Sequence, residues 1–274
     1  MPARFLEPAG VLLLMIIKLL LLPLNLVQLL LTWVWMTFGV LTATAIMLLT
    51  RRPGPALWFA HRPWSPVAMA ILLGRVQVDC ETEIDWSRTH IFVSNHQSMA
   101  DIPAMLYSLR TPVRFIAKRE LFKLPVVGWY LRSTGMIAVD RAGGRAATQG
   151  LIREAARDFS GSSIIAFPEG TRSRNGTVAR FKKGVFLLAL QSGLPLVPVA
   201  LEGTRHLASR SGLTSRPARV RVRIGTPIET AGLGSEDLGQ LVARTQGEVV
   251  RMHRLVGGEE PAVSEQTVAG ETGA

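Results

Sequence analysis

The hydrophobic pattern divides the chain into two unlike parts. From Val11 to Leu49 nearly every residue is apolar, interrupted by Lys18, Pro23, Asn25, Gln28 and a few hydroxyl side chains. A helix of roughly 20 apolar residues crosses a bilayer core, so this stretch exceeds one straight span and suits two helical pieces. Pro23 is the natural break between them. Two arrangements fit: one span from about Val27 to Leu49 preceded by an interfacial helix, or a re-entrant pair that dips into one leaflet. The apolar run far exceeds the roughly 7 to 15 residues of a secretory signal core, which argues against a cleaved signal peptide.

After Pro66 the pattern becomes globular. Short β-branched runs alternate with helical stretches, the signature of an α/β fold: a mostly parallel or mixed central sheet flanked by helices, behind an N-terminal hydrophobic helical membrane segment. The pattern predicts strands at Arg75 to Val78, Ile91 to Ser94, Arg114 to Ala117, Met136 to Val139, Ser163 to Phe167, Leu196 to Leu201 and Val220 to Ile224. Helices are predicted at Ile102 to Leu109, Arg145 to Phe159, Lys183 to Ser192 and Ser235 to Leu255. Gly193 is expected as a C-cap and Ser235 as an N-cap. A proline in Val197-Pro198-Val199 is awkward for a central strand and points to an edge or a bulge. The tail from Gly257 to Ala274 is rich in Gly and Glu without apolar periodicity and is expected to be disordered. The organisation read from this is 1–66 membrane-anchoring helices, 67–256 an α/β domain, and 257–274 a tail.

Charge sharpens the picture. Arg51, Arg52 and Arg62 follow the apolar stretch directly, and cations beside a span stay on the cytoplasmic side, where the rest of the chain is therefore expected. Trp33, Trp35, Trp58 and Trp64 lie near the ends of this region, either as headgroup-layer anchors or as ordinary core tryptophans. The net charge is +11, and between Asn95 and Lys183 there are 15 Lys/Arg against 6 Asp/Glu. Such a field attracts nucleic acid, anionic headgroups or an acidic substrate and carrier alike. Hydrophobic residues form 48% of the chain and mean hydropathy is +0.26, which favours lipid. Aromatic residues are only 7%, and no nucleic-acid motif is present, so nucleic acid is not expected as a partner. The lone Cys80 excludes an internal disulfide and a cysteine-based zinc site.

Candidate chemistry begins at Ser94-Asn95-His96-Gln97-Ser98-Met99-Ala100-Asp101, directly after an apolar strand and before a helix. Open α/β sheets place their sites at such carboxyl ends of strands. His96 can act as a general base if Asp101, five residues on, fixes its tautomer. The competing explanation is a capping box between Ser98 and Asp101, with His96 a plain loop residue. A second segment, Phe167-Pro168-Glu169-Gly170-Thr171-Arg172, also follows a strand. Arg172 offers a fork suited to phosphate, and Gly170 admits a ligand close to the backbone. Arg174, Arg180, Lys182 and Lys183 either meet headgroups or an acidic carrier, or form a solvated face. His206 and His253 are expected at the surface. The scattered histidines offer no metal-ligand spacing.

These blocks occur together with Lys118-Arg119-Glu120-Leu121, Pro125, Gly128-Trp129, Val139-Asp140-Arg141 and Val197-Pro198-Val199. In this order they closely resemble the glycerolipid acyltransferase family, over roughly Val76 to Ile228, and in particular its branch acting on 1-acyl-sn-glycerol 3-phosphate. The resemblance implies a glycerol-phosphate-acyltransferase-like fold. It further implies that His96 and Asp101 are catalytic, with direct attack of the acceptor hydroxyl on an acyl thioester and no acyl-enzyme. No G-x-S-x-G nucleophile elbow is present, in keeping with that chemistry. The implied acceptor site is Glu169, Gly170, Thr171 and Arg172, with Lys118 adding a cation. The implied partners are the lipid bilayer, lysophosphatidic acid and acyl-CoA or acyl-acyl carrier protein as co-substrate, with no cofactor and no metal. Pro125, Gly128 and Trp129 are expected to shape packing, and Pro198 to be structural. The alternatives are the same chemistry on glycerol 3-phosphate or a lyso-ornithine lipid, or a membrane-tethered basic module without catalysis.

Overall fold

The computed structural model describes residues 8–139, 162–208 and 216–258. The helix expected over 145–159, the residues Asp140 and Arg141, and nearly all of the tail lie outside these segments.

The N-terminal apolar stretch forms one helix, α1 (Pro8–Thr50), with Pro23 inside it. The expected break at Pro23 does not occur. A proline removes one backbone donor, and the apolar run on either side still leaves a helix as the form that satisfies every other peptide group away from water. Within α1, Leu22–Thr50 is long and apolar enough to cross a membrane. Two short helices follow, α2 (Pro53–Phe59) and α3 (Ser65–Ile71), linked by a π-turn at Ala60–Trp64. α1 docks on them through specific contacts. Gln28 Nε2 donates to the Ile71 carbonyl at 3.0 Å, while Trp35 and Trp64 exchange indole N–H to carbonyl bonds at 3.1 and 3.3 Å. The tryptophans thus divide between the two readings. Trp64 is buried in the core with Trp35 against it, whereas Trp33 and Trp58 are exposed.

The strands are β1 (Gly74–Cys80), β2 (Ile91–Ser94), β3 (Val113–Lys118), β4 (Ile137–Val139), β5 (Ser163–Ala166), β6 (Leu196–Glu202) and β7 (Ala218–Ile224). They form a mixed seven-stranded sheet in the order β1-β7-β6-β2-β5-β3-β4. Every neighbouring pair is parallel except β6 with β7. The helices between and after them are α4 (Asp101–Ser108), α5 (Val127–Ser133), α6 (Gly184–Ser192), α7 (Thr204–Leu207) and α8 (Leu238–Leu255).

Period-two alternation assigns the two faces of the central strands. Phe92, Ile165, Val197, Val199 and Leu201 point to the layer containing α3 and α4. Ile91, Val93, Ile164 and Ala166 point to the opposite layer, with α6 and α8. Because helices cover both sides, β2, β5 and β6 are buried along their whole length, as expected of parallel strands in a doubly covered sheet.

Pro198 corrects one expectation, since β6 is a central strand and not an edge. The β6–β7 ladder starts at Val199↔Ile224, and the Pro198 carbonyl accepts the Gly225 N–H at 2.8 Å. The proline nitrogen therefore falls where that ladder ends, and no internal rung is lost. Ser235 is a second correction: α8 starts after Asp237, whose Oδ2 accepts the Gly234 N–H at 2.9 Å. Gly193 does close α6, in the left-handed conformation at φ 66°.

Candidate active site

β2 and β5 are parallel neighbours paired at Val93↔Ala166, so the residues leaving their carboxyl ends emerge side by side. At the end of β2, Asn95 turns the chain. Its buried amide donates to the Leu201 carbonyl at 2.9 Å and accepts the Leu201 N–H at 2.8 Å, fastening the exit of β2 to β6. The next residue, His96, then projects over the sheet end.

The His96 Nδ1–H donates to Asp101 Oδ2 at 2.6 Å. The same oxygen accepts the backbone N–H groups of Gln97 at 2.7 Å and Ser98 at 2.9 Å. The Ala100 N–H meanwhile donates to Ser98 Oγ at 3.1 Å. Asp101 therefore ties down the turn from Gln97 and Ser98 and holds the imidazole with the same carboxylate oxygen. α4 begins at Asp101 after Ala100 with no side-chain cap, so the competing Ser98 capping box does not form. Asp101 is fully buried, which shields this hydrogen bond from competing water. Occupation of Nδ1 in this way leaves Nε2 as the nitrogen able to accept a proton.

The β5 side completes the ring's surroundings. Phe167 stacks on His96 with ring centroids 4.3 Å apart and an interplanar angle of 19°. Glu169 Oε1 accepts the His96 N–H at 2.9 Å, and the His96 carbonyl accepts the Ser173 N–H at 2.7 Å. The Glu169 side chain is buried, and its Oε2 has no partner. Burial pushes its carboxyl up to about 7, against the lowering effect of N–H donors from His96 and Ala179, while the Asp101 charge adds to the rise. Glu169 is thus placed to brace the His96 loop. Its neighbours on the C-terminal side lie nearer the surface.

Those neighbours form a turn at Gly170, which has φ +72°. A Cβ there would come within 2.8 Å of Lys182 Nζ, so the lysine amine lies over the bare glycine backbone. Thr171 is exposed and Arg172 half-buried directly after this turn. Lys118 ends β3, three residues past the Phe115↔Ile165 rung, and pairs with Glu120 at 3.2 Å. Of the other cations, Arg174, Arg180 and Lys183 are exposed. Gly128 and Trp129 contribute packing. A Cβ at Gly128 would fall 2.1 Å from the Phe122 carbonyl oxygen, and Trp129 packs against Ala43, Met47 and Ala56.

One set of residues was not anticipated. His253, expected at the surface, is 1% exposed and sits against Glu202 and Gln97 behind the His96 loop. Its neighbours on α8 gave the signal: Leu241, Thr245, Val249, Met252 and His253 fall on one helical stripe that is buried. His206 is exposed, as expected.

A family model described as Acyltransferase matches residues 75–202. A 1-acyl-sn-glycerol-3-phosphate acyltransferase of Brassica napus, BAT2, chloroplastic, is 39% identical over 140 residues, covering 50% of this chain and 40% of the relative. The alpha form of the 1-acyl-sn-glycerol-3-phosphate acyltransferase of Ovis aries is 31% identical, covering 66% of this chain and 64% of its own. The chain spans about half the length of the plant and algal relatives it matches. Among solved structures, the crystal structure of the 1-acyl-sn-glycerophosphate (LPA) acyltransferase PlsC from Thermotoga maritima superposes with a TM-score of 0.70 at 31% identity. That match covers 85% of this chain and 95% of the other.

Proposed function

The chain belongs to the acyltransferase family, and from that premise we propose that it moves a fatty acyl group from an acyl thioester to the sn-2 hydroxyl of 1-acyl-sn-glycerol 3-phosphate, forming phosphatidic acid. The thioester is carried on coenzyme A or acyl carrier protein. The observation that carries this reading is the 2.6 Å bond from His96 Nδ1 to a fully buried Asp101, which dedicates Nε2 to proton transfer.

In the proposed reaction His96 Nε2 removes the acceptor's hydroxyl proton as the oxygen attacks the thioester carbonyl. Asp101 stabilises the imidazolium that results. Collapse of the tetrahedral intermediate breaks the C–S bond, and the imidazolium returns the proton to the departing thiolate. Arg172, the Gly170–Thr171 backbone and the Lys182 amine are assigned to the acceptor phosphate, with Lys118 adding positive charge at the same end of the sheet.

Membrane association fits an acceptor that is itself a lipid. Leu22–Thr50 presents exposed Leu30, Trp33, Val34 and Leu41 on one side while Gln28, Ala43 and Met47 pack on the globular part. That two-sidedness supports a domain held against the bilayer by α1. The arginines at 51, 52 and 62 favour the cytoplasmic face.

The test is thiol release by detergent-solubilised protein supplied with acyl-CoA or acyl-acyl carrier protein and a panel of lysophosphatidate, glycerol 3-phosphate and a lyso-ornithine lipid. Release with lysophosphatidate, lost by about 10² to 10⁴-fold in His96→Ala, is the expected result. Equal release by both proteins would remove His96 from the mechanism, and turnover of another acceptor alone would move the substrate assignment.

A further inference from the structure

Behind the His96 loop lies a buried polar cluster that the reaction itself does not use. Gln97, Glu202 and His253 are 3%, 8% and 1% exposed, and they come from the loop after β2, the end of β6 and the last turn of α8. Glu202 Oε2 lies 2.7 Å from Gln97 Nε2 and 2.9 Å from His253 Nε2. Gln97 Nε2 also lies 3.1 Å from the Gly176 carbonyl oxygen and 3.0 Å from His253 Nε2.

Counting hydrogens fixes the arrangement. The Gln97 amide carries two protons, and both the Gly176 carbonyl and the Glu202 carboxylate are acceptors only. Those two protons are therefore committed, and His253 must carry its own on Nε2 to bond Glu202. The short Gln97 to His253 approach follows from two donors converging on one oxygen. The reversed amide would aim its oxygen at both acceptors, so only one orientation of Gln97 is stable.

That orientation couples two functional loops. The Gln97 main chain donates to Asp101 Oδ2, while its side chain holds Gly176 in the loop that follows Arg172. Burial works to raise the Glu202 carboxyl, but hydrogen bonds from His253 and Gln97 and the charge of Arg205 outweigh it and hold it below the ordinary range. Without the imidazole, Glu202 Oε2 loses the donor that fixes it opposite the Gln97 amide, and Arg205, 3.6 Å from Oε1, holds only the other oxygen. The carboxylate is then free to shift, and the Gln97 amide loses the fixed acceptor that sets its orientation toward Gly176.

We infer that His253, acting through Glu202, is a positioning residue that locks the Gln97 amide and so keeps the His96–Asp101 loop and the Arg172 loop in register. The inference rests on the proposed acyl transfer for its kinetic reading, and it makes the C-terminal helix part of the catalytic apparatus.

The experiment compares the full-length wild type with His253→Leu, which removes the donor at similar volume, and His253→Gln, which retains one. Thiol release gives kcat and acceptor KM, and amide hydrogen exchange is followed at residues 96–98 and in β7 without substrate. His253→Leu is expected to lower kcat at least about tenfold, as misplaced catalytic groups do. Acceptor KM should rise, and exchange at 96–98 should quicken while β7 keeps its protection. His253→Gln should recover most of the activity. Wild-type kcat and exchange in His253→Leu would overturn the inference. So would a loss that only tracks the folded fraction and is no smaller in His253→Gln. If the wild type itself turned over no acceptor, the acyl-transfer reading would fail, and the exchange comparison would still decide the role of His253.

Discussion

Phe167 lies nearly parallel to the His96 imidazole at 4.3 Å, so the ring is held by a hydrogen bond at its edge from Asp101 and by an aromatic face along its plane. The bond alone leaves the ring free to rock about the Nδ1 to Oδ2 line. The stack removes that freedom and keeps Nε2 aimed in one direction.

Replacing Phe167 by Leu should therefore reduce kcat by about 2- to 12-fold, the range set by an aromatic pair worth about 0.5–1.5 kcal/mol. Phe167→Tyr, which keeps the ring, should remain near the wild type. Thiol release measured beside thermal unfolding separates this effect from a loss of folded protein. A Leu variant as active as the wild type would leave Asp101 as the sole orienting group.

Glu169 gives the protein a stability term with an unusual sign. Its carboxyl is raised in the fold to about 7 from an ordinary 4.5, so between those values the folded state binds the extra proton. Stability from this group is therefore full below about pH 4.5, declines as pH rises toward 7, and is flat beyond it. The loss is on the order of 3 kcal/mol by the conversion of about 1.4 kcal/mol per unit. Glu169→Gln preserves an acceptor for the His96 N–H and cannot ionise. Denaturant unfolding at pH 5, 6, 7 and 8 should show the stability of wild type relative to the variant shrinking across the series. A difference that stays constant with pH would mean that Glu169 is ionised throughout.

Arg172 follows the Gly170 turn with the Lys182 amine over the glycine backbone. A charge-assisted hydrogen bond to a phosphate is worth about 1.5–3 kcal/mol, so Arg172→Gln should raise the acceptor KM by roughly 10- to 100-fold. The KM for the acyl donor should move little. Kinetics with each substrate varied in turn distinguish the cases, and an effect confined to the donor would transfer Arg172 to the thioester carrier.

Much of this arrangement was legible in the sequence because β-branched runs have a short period and their turns carry marked residues. All seven strands lie within two residues of the positions their apolar runs predict. The motif from Ser94 to Asp101 likewise contains its own geometry, since the bond it needs joins residues five apart. Long-range partnerships were not legible. Nothing local to His253 tells that it meets Gln97, 156 positions earlier, and nothing local to Glu169 tells that its carboxyl accepts the backbone amide of His96. Pro23 and Pro198 misled for a related reason. A proline reports the cost of one missing donor, whereas the outcome depends on whether the fold needed that donor at all.

Gly39 is where the apolar helix meets the globular part most closely. A Cβ at this position would lie 2.2 Å from Trp64 Nε1 and 2.5 Å from its Cδ1. Trp64 has little room to yield, because its indole N–H donates to the Trp35 carbonyl and its own carbonyl accepts the Trp35 indole. Gly39→Ala must therefore separate α1 from the π-turn or strain the tryptophan pair, at a cost of about 1–3 kcal/mol typical of overpacking. Gly54 provides the control, since a Cβ there meets nothing within 4 Å. In detergent, Gly39→Ala should unfold several degrees earlier than the wild type and show altered tryptophan fluorescence, while Gly54→Ala should match the wild type. Identical behaviour of the two variants would mean that α1 and α3 part company in solution, and α1 would then be a tether with no structural role in the domain it precedes.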